Sequence, residues 1–276
     1  MITNIRDGVQ LNNGLAMPWL GLGVFKMTDG REVTDAVKHA LQVGYRSIDT
    51  AAAYRNESGV GQALRESGVP REDIFLTTKL WNEEQRKGRT LEAFKESLER
   101  LGTDYVDLYL VHWPVPGRYK ETWKAMEEIY ASGQAKAIGV SNFMVDHLED
   151  LLSDSKVVPA VNQVEFHPFL IQPELLRYCR DHGIQVEAWS PLMQAQIVND
   201  PVVRELADEL GKTPAQVVLR WDLQHEVVTI PKSTHAGRIE ENAGIFDFEL
   251  SAEEMKRLDA LDAGRRVGPD PHNFDF

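Results

Sequence analysis

The chain alternates between short apolar runs and longer amphipathic stretches. The apolar runs are rich in Val, Ile, Leu and aromatic residues, and they lack strict alternation with polar residues. Such runs are typical of strands that are covered on both faces, as in a parallel sheet flanked by helices. The runs that predict buried strands are residues 45–48, 74–78, 106–111, 137–140, 160–164, 185–189 and 227–230.

The stretches between these runs predict helices. In residues 89–102, RTLEAFKESLERLG, the side chains of Leu91, Phe94, Leu98 and Leu101 recur at helical spacing and predict one buried face. Glycines stand after the helix-like stretches and shortly before the next strand, where a left-handed residue commonly ends a helix. These predicted helix ends are Gly44, Gly68, Gly102, Gly133 and Gly183.

The repeated strand and helix units predict the fold class. Residues 19–23 can supply an eighth strand, and no Pro/Ser/Gly-rich linker interrupts the series. Eight successive units in one α/β chain favour a closed (β/α)8 TIM barrel over an open doubly wound sheet. We therefore expect a single domain, residues 1–276. Residues 4–6 and 9–11 predict an N-terminal β-hairpin that turns at Asp7 and Gly8, and such a hairpin would suit the barrel floor.

Composition and charge narrow the class of partner. The chain has 30 Lys and Arg residues against 43 Asp and Glu residues, a net charge of −13, which argues against nucleic-acid binding and adsorption to anionic membranes. The first ten residues, MITNIRDGVQ, carry polar groups where a signal peptide needs an apolar core. The single cysteine, Cys179, permits no internal disulfide, which favours a reducing compartment. We expect a cytoplasmic protein.

Candidate catalytic residues lie at predicted strand ends, because barrels place their active sites at the carboxyl ends of the strands. Asp49 ends the second strand, with Tyr54 in the loop beyond it; Lys79 ends the third and His112 the fourth. We expect these four side chains to lie close together. Asp49 would hold Lys79 charged, and Lys79 would lower the pKa of Tyr54 towards working pH, making it a general acid. His112 would orient a substrate carbonyl or share the proton transfer.

A tyrosine acid suits the protonation of an alkoxide that forms when hydride reaches a carbonyl carbon, and this reaction requires a nicotinamide cofactor. The nearest match to a dinucleotide fingerprint, GLGVFK at residues 21–26, lacks the third glycine. Other strand ends offer a site. Ser141, Asn142 and Gln163 can hydrogen-bond a carboxamide, and Trp189 presents a flat surface on which a nicotinamide ring could stack.

A local basic cluster follows the last predicted strand. In IPKSTHAGRIEEN, Lys232, Ser233 and Arg238 stand at the start of a helix in a strongly acidic protein. Cationic side chains and a hydroxyl at a helix start suit a phosphate monoester such as the 2′-phosphate of NADP. A capped helix with ordinary surface charges would show the same residues, so the cluster alone leaves both interpretations open.

Taken together, these motifs resemble the aldo-keto reductase family over essentially the whole chain. The motifs are GYRSIDTAAAYRNESGVG, TTKLW, LVHWP, GVSNF, NQVEFHP and IPKSTHAGRIEEN, in the family's order. The resemblance implies a monomeric barrel that binds NADPH before substrate and reduces aldehydes or ketones to alcohols. It implies that Tyr54 is the proton donor and that Asp49, Lys79 and His112 support it.

The resemblance also implies roles for residues around this tetrad. It places Glu241 and Asn242 at the adenine, and Ser190 beside Trp189 in the cofactor site. It implies an aromatic substrate wall of Phe25, Trp81 and Trp113, next to His112. The short loop at residues 114–120 and the ending RRVGPDPHNFDF resemble the bacterial branch of glyoxal/methylglyoxal reductases and 2,5-diketo-D-gluconate reductases. We expect substrates such as methylglyoxal, diketones and aromatic aldehydes.

Two other classes of protein stay open as alternatives. A metal-dependent barrel hydrolase would need clustered ligands such as HxH or HExxH. The sequence has neither motif, and His167 in EFHPF stands alone as a loop residue, so we expect no metal. A cofactor-binding redox sensor with negligible turnover would keep the same residues. A carbonyl reduction rate no higher than that of a Tyr54→Phe variant would identify such a sensor.

Overall fold

Eight parallel strands form one sheet, and each strand pairs with the next along the chain. The computed structural model describes residues 2–276. Two further strands, β1 and β2, form a separate antiparallel pair. The strands are β1 (Gly8–Gln10), β2 (Ala16–Pro18), β3 (Leu22–Gly23), β4 (Ser47–Asp49), β5 (Phe75–Leu80), β6 (Val106–Val111), β7 (Ala135–Ser141), β8 (Val161–Glu165), β9 (Gln185–Trp189) and β10 (Val228–Thr229).

The sheet closes on itself between its first and last strands. Leu20, just before β3, forms a parallel bridge with Thr229 in β10. The Gly21 N–H donates to the Thr229 carbonyl at 3.0 Å, and the Thr229 N–H donates to the Trp19 carbonyl at 3.0 Å. A Cβ atom on Gly23 would lie 2.8 Å from the Ile230 carbonyl oxygen, so only glycine permits this close approach. The predicted (β/α)8 barrel is confirmed.

Helices follow the barrel strands and pack around the sheet. Their buried faces carry mainly aliphatic side chains, as the amphipathic pattern predicts. The helices are α1 (Arg31–Val43), α2 (Glu57–Glu66), α3 (Asn82–Lys87), α4 (Thr90–Leu101), α5 (Tyr119–Ala131), α6 (Val145–Leu152), α7 (Pro173–Asp181), α8 (Pro201–Leu210), α9 (Pro214–Gln224), α10 (Ala236–Ala243) and α11 (Ala252–Asp259).

Helix α4 shows where the sequence pattern was right and where it was wrong. Phe94, Leu98 and Leu101 are buried as expected, whereas Leu91 is exposed. The buried face instead continues through Ala93, because Ala93 lies one helical turn before the buried Ser97, on the inner side of the helix. The predicted left-handed helix ends are confirmed, since Gly44, Gly68, Gly102, Gly133 and Gly183 all have positive φ angles.

The N-terminal hairpin is present, but its turn is not where the sequence predicted it. The Asp7 carboxylate accepts hydrogen bonds from the backbone N–H groups of Thr3 and Asn4 at 2.8 and 2.9 Å. This closes a local turn before β1, so Asp7 and Gly8 do not join the two hairpin strands. The hairpin turns at residues 11–15 instead, where the Leu11 N–H donates to the Leu15 carbonyl.

The hairpin lies at the amino-terminal ends of the barrel strands. Asn12 donates through Nδ2 to the Pro159 carbonyl at 3.1 Å, just before β8. Asn13 donates to the Lys136 carbonyl at 2.9 Å, at the start of β7. The expected place at the barrel floor is therefore confirmed, and the opposite face stays open. Within residues 2–276, no helix combines the length and the apolar character needed to cross a lipid bilayer.

Candidate active site

A cavity of about 1480 Å³ opens at the carboxyl ends of the strands. It is larger than the 300–1,000 Å³ or so of a typical small-molecule site, so a dinucleotide and a small substrate could fit together. Its lining includes the predicted site residues Phe25, Asp49, Tyr54, Trp81, His112, Trp113, Ser141, Asn142, Gln163, Trp189, Ser190, Lys232, Ser233, Arg238, Glu241 and Asn242.

Three of the four predicted catalytic residues are directly hydrogen-bonded to one another. Lys79, at the end of β5, is fully buried and its Nζ donates to Asp49 Oδ1 at 2.6 Å. The same ammonium donates to the Thr50 carbonyl at 3.0 Å and to the Tyr54 hydroxyl at 3.3 Å. The buried charge thus has three acceptors in tight geometry, as a buried ammonium requires. The expected proximity of Asp49, Tyr54 and Lys79 is confirmed.

The electrostatics of Tyr54 differ from the sequence expectation. Burial of the hydroxyl raises the pKa of Tyr54, and the pull of Lys79 in the opposite direction does not overcome it. Asp49 adds to the rise, because its negative charge disfavours a nearby phenolate. The expectation that Lys79 brings this pKa down towards working pH was therefore wrong in its net direction. The phenol stays protonated at neutral pH and can still give up its proton.

Lys79 remains charged in this buried position. Burial alone would lower the pKa of Lys79, but the negative charge of Asp49, reinforced by Tyr54, raises it above its ordinary value. Asp49 is itself buried at the end of β4, where the parallel pairing of β4 with β5 brings it beside the lysine. The expectation that Asp49 keeps Lys79 charged and oriented agrees with this geometry.

His112 lies directly after β6 and lines the same cavity. Its ring meets the Tyr54 ring edge to face, with centroids 5.8 Å apart, and it meets the Trp81 ring in the same way at 5.2 Å. Burial, together with the positive charge of Lys79, lowers the pKa of His112 well below its usual range. The imidazole is therefore neutral at pH 7. A neutral ring can donate its one N–H to the oxygen of a carbonyl substrate, but it carries no second proton to give up.

The residues that were predicted to bind a carboxamide form hydrogen bonds mainly with one another. Ser141 donates through Oγ to the Gln163 carbonyl at 2.8 Å. Asn142, in a left-handed conformation with φ 64°, donates to the His112 carbonyl at 3.0 Å. Trp189 donates through its indole N–H to Asn142 Oδ1 at 2.8 Å, which fixes the indole plane at the cavity wall. Ser190 follows with a positive φ of 55° and turns the chain out of β9.

Gln163 shows a pairing that the sequence did not indicate. Its Nε2 donates to Asp49 Oδ2 at 2.8 Å and to Glu187 Oε2 at 2.7 Å. Glu187 lies in β9 and is fully buried. In the run QVEAW, a single acid gives no sign of whether it faces solvent or the barrel interior, so sequence reasoning missed Glu187. Glu187 lies two residues before Trp189, which lines the cavity, so the alternation of a barrel strand could have shown that Glu187 faces inward, although not that it meets Gln163.

The predicted phosphate cluster lies at the far end of the cavity. Lys232 and Arg238 are exposed, and within residues 2–276 neither is within ion-pair distance of a carboxylate. Ser233 is buried and its Oγ accepts a hydrogen bond from the His235 N–H at 3.1 Å, next to the start of α10. Two unpaired cations beside a helix start suit an anion. Nearby, Glu241 Oε1 accepts from the Thr213 hydroxyl at 2.8 Å, and Asn242 is buried.

The residues of the predicted aromatic wall line the cavity. The Phe25 ring is 52% exposed and lies 5.0 Å from the Tyr54 ring, centroid to centroid. Phe276 completes the wall, although sequence reasoning did not predict it. Its ring stacks on Trp81 at 5.8 Å with an interplanar angle of 4°, and it meets Trp113 edge-on at 5.2 Å.

The C-terminal segment reaches this wall because Glu165 ties it to the barrel. Glu165, at the end of β8, is buried and accepts from the backbone N–H groups of Val267 and Gly268 at 2.6 and 3.2 Å. A Cβ atom on Gly268 would lie 2.3 Å from the Trp189 ring, so glycine lets the segment pack on the indole. His167, just beyond β8, is buried with its Nε2 3.0 Å from Glu165 Oε1.

One surface cluster away from the cavity combines groups that commonly bind metals. Asp146, His147 and His272 bring their candidate ligand atoms within 4.8 Å of one another. His147 Nδ1 accepts the Met144 N–H at 3.1 Å, which leaves the proton of the neutral ring on Nε2. His272 Nε2 lies 3.0 Å from Asp146 Oδ1, so this pair is also hydrogen-bonded. These hydrogen bonds occupy atoms that would otherwise coordinate a metal ion, and they explain why the three side chains lie together.

Comparison with known proteins identifies the family of the chain. A model of the aldo/keto reductase family matches residues 19–263. Glyoxal reductase from Bacillus subtilis is 58% identical over 276 residues, covering 100% of both chains. Methylglyoxal reductase DkgA from Escherichia coli K12 is 48% identical over 270 residues, covering 96% of this chain and 97% of that protein. The chain belongs to the aldo/keto reductase family.

Solved structures give the same result. The apo crystal structure of Gox0644 is 43% identical, covers 98% of each chain and superposes with a TM-score of 0.93. A single-residue variant of Gox0644 was crystallised in complex with NADPH, and it matches this chain with the same TM-score of 0.93 and 43% identity over 98% of each chain. The family that the sequence motifs resemble is therefore confirmed.

Proposed function

We propose that this protein reduces aldehydes and ketones to alcohols with NADPH as the hydride donor. The observation that carries this proposal is the buried chain of hydrogen bonds from Asp49 through Lys79 to Tyr54, with His112 beside the phenol. A protonated phenol with an ammonium at its oxygen is a competent acid for a developing alkoxide. The relatives named as glyoxal and methylglyoxal reductases support the same class of reaction.

The residues of the cavity fit a nicotinamide dinucleotide. Trp189 has a fixed indole plane, Gln163 keeps its amide oxygen free for a carboxamide, and Lys232 and Arg238 supply cations for a 2′-phosphate. We assign Ser141, Asn142, Ser190, Ser233, Glu241 and Asn242 to the same cofactor site. Bound NADPH would supply a hydride to the carbonyl carbon. The complex of NADPH with a Gox0644 variant supports this choice of cofactor.

The protein's own groups would handle the proton and the carbonyl oxygen. Tyr54 would donate its hydroxyl proton to the oxygen as the C–O double bond becomes a single bond. Lys79 would stabilise the phenolate left behind, and Asp49 would hold the lysine in place. The neutral His112 would hydrogen-bond the carbonyl oxygen and orient it towards Tyr54.

We propose small 2-oxoaldehydes such as methylglyoxal, diketones and aromatic aldehydes as substrates. The cavity lining includes the aromatic rings of Phe25, Trp81 and Trp113, which offer flat apolar contact to carbonyl substrates of different shapes. Similar kcat/KM values across a panel of these carbonyls would support this range. A strong preference for a steroid or a long polyol would contradict it.

We also propose a single-domain monomer that acts in the cytoplasm. Cys179 is buried, and burial raises the pKa of its thiol to about 12, so the thiol is unsuited to disulfide exchange. This agrees with a reducing compartment. Sedimentation velocity at micromolar concentration would test the monomer, and a stable dimer would refute it.

The test of the proposed function is NADPH oxidation with methylglyoxal and with an aromatic aldehyde, measured beside NADH and beside Tyr54→Phe. Fast oxidation of NADPH by the wild type, lost in the variant, is the expected result. If NADPH binds but no carbonyl is reduced faster than by the variant, the proposal fails. The protein would then be better described as a cofactor-binding redox sensor.

A further inference from the structure

Glu187 is joined to the candidate catalytic residues by one amide group. Gln163 Nε2 lies between two carboxylates and donates one hydrogen to Asp49 Oδ2 at 2.8 Å and the other to Glu187 Oε2 at 2.7 Å. Asp49 in turn accepts from Lys79 at 2.6 Å through its other oxygen. All four side chains are buried, with exposed fractions of 2% or less. The bridge is therefore shielded from competing water.

The two acidic side chains determine which way the Gln163 amide points. An amide has two donor hydrogens on nitrogen and acceptor capacity on oxygen; the carboxylate of Asp49 can only accept, and Glu187 keeps one acceptor oxygen even when its other oxygen is protonated. Both hydrogens of Gln163 are used, so its oxygen forms no hydrogen bond with residues 2–276 and lines the cavity. If Asp49 were the only acceptor, it would hold only one of the two amide hydrogens. The amide could then rotate about that one hydrogen bond, and its oxygen would leave its position in the cavity.

We propose that Glu187 is a positioning residue, which acts by holding the Gln163 amide so that its oxygen accepts a hydrogen bond from the carboxamide of the nicotinamide. This inference rests on the proposed function, because it requires the carboxamide to bind at Gln163. Glu187 itself touches neither substrate nor cofactor. Its effect reaches the cofactor only through Gln163.

The protonation of Glu187 fits this arrangement. Burial, reinforced by the negative charge of Asp49, raises the pKa of Glu187 to about 8, while the Gln163 hydrogen bond and Lys79 act in the opposite direction. At neutral pH the carboxyl group is thus largely protonated. Oε1 is buried and has no hydrogen-bond partner within residues 2–276, so the proton can reside there while Oε2 accepts from Gln163. The site keeps its acceptor without burying a second negative charge beside Asp49.

The test compares two probes, NADPH and adenosine 2′,5′-bisphosphate, which lacks the nicotinamide. Their dissociation constants are measured by calorimetry at pH 7 for the wild type, Glu187→Met, Glu187→Gln and Gln163→Leu. Met matches the size of Glu and replaces its oxygens with a thioether sulfur, which is only a weak acceptor. Since one hydrogen bond is involved, Glu187→Met should weaken NADPH about 3- to 10-fold. It should leave the affinity for the bisphosphate within about 2-fold of wild type, the scatter expected without a lost contact. Glu187→Gln, which keeps an acceptor oxygen, should recover most of the lost affinity.

Each contrary result points to a different error. If Gln163→Leu weakens NADPH and Glu187→Met does not, the positioning role fails and the proposed function stands. If neither variant weakens NADPH, the carboxamide does not bind at Gln163 and the inference falls with that contact. If Glu187→Met weakens both probes equally, Glu187 serves the fold and the inference is wrong. If the wild type binds no NADPH, the proposed function itself fails. Should Glu187→Met not fold, Glu187→Thr, a strand-compatible residue too short to reach Gln163, takes its place.

Discussion

Replacing Glu187 by Gln should change how the stability of the protein depends on pH. The substitution keeps the size of the side chain and an acceptor oxygen but removes the titrating group. Burial raises the pKa of Glu187 from 4.5 to about 8 in the folded protein. The unfolded chain therefore releases this proton near pH 4.5, whereas the folded protein retains it until about pH 8. Glu187 lowers the unfolding free energy progressively as pH rises through this window, and the loss levels off above it.

The magnitude follows from the width of the window. The protein's pI is about 5.1, so measurements should begin at pH 5.5 to avoid precipitation near zero net charge. From there to pH 8 is about 2.5 pH units at roughly 1.4 kcal/mol each, and partial titration at both ends of this interval reduces the sum to about 3 kcal/mol of unfolding free energy. Glu187→Gln should gain this amount relative to the wild type across the interval. Below pH 5.5 the two proteins should converge towards a constant difference.

Urea unfolding at pH 5.5, 7.0 and 8.5, followed by tryptophan fluorescence, measures this difference. Glu99→Gln, at an exposed position on α4, is the matched control, because its carboxylate stays hydrated in both states. The control should leave the pH dependence unchanged. A difference between Glu187→Gln and the wild type that is the same at all three pH values would refute the reasoning. It would mean that Glu187 is already ionised in the folded protein at pH 5.5.

Three further predictions concern the cavity. Tyr54→Phe should lower kcat for methylglyoxal about 10²- to 10⁴-fold while NADPH still binds, since only the proton donor is lost; a matching loss in a fluorescence titration with NADPH would contradict this. Arg238→Ala should weaken NADPH roughly 10-fold or more and NADH little, because in the proposed complex the guanidinium would pair with the 2′-phosphate; equal losses would refute the assignment. Phe276→Ala should raise KM for an aromatic aldehyde several-fold more than KM for methylglyoxal, because only the larger ring can stack; equal changes would exclude the stacking role.

The sequence predicted the barrel and the catalytic cluster for the same physical reason. In a closed parallel barrel, consecutive strands are neighbours, so the order of strand ends along the chain becomes their order in space. Asp49, Lys79 and His112 end or follow β4, β5 and β6, which pair in that order. Their proximity could therefore be read directly from the chain. The roles of Tyr54 as the acid, Lys79 as the cation beside it, Asp49 as the residue that holds Lys79, and His112 as the residue that orients the carbonyl remain predictions.

The features that sequence reasoning missed depend on direction or distance rather than on order. Glu187 interrupts an apolar strand, and only the closed barrel shows that it faces Gln163. Phe276 lies beyond the last helix, in a segment without hydrophobic periodicity, and it reaches Trp81 because Glu165 binds the backbone at Val267. Asp7 could begin a hairpin by composition, but its carboxylate instead binds the N–H groups before it. These contacts join residues whose spacing carries no regular signal.

The protonation states of the cavity favour one direction of the proposed reaction. Reduction needs a group that is protonated before the reaction, whereas oxidation of an alcohol needs a base that has already lost its proton. Burial, together with the charge of Asp49, raises the pKa of Tyr54, and burial beside Lys79 lowers the pKa of His112. At neutral pH the phenol therefore holds the proton and the imidazole does not. Tyr54 is therefore ready to act as an acid. The reverse reaction needs the phenolate, which is disfavoured because burial of the hydroxyl outweighs the stabilising charge of Lys79. The same burial that contradicted the expected fall in the pKa of Tyr54 thus suits the site to the reduction of a carbonyl.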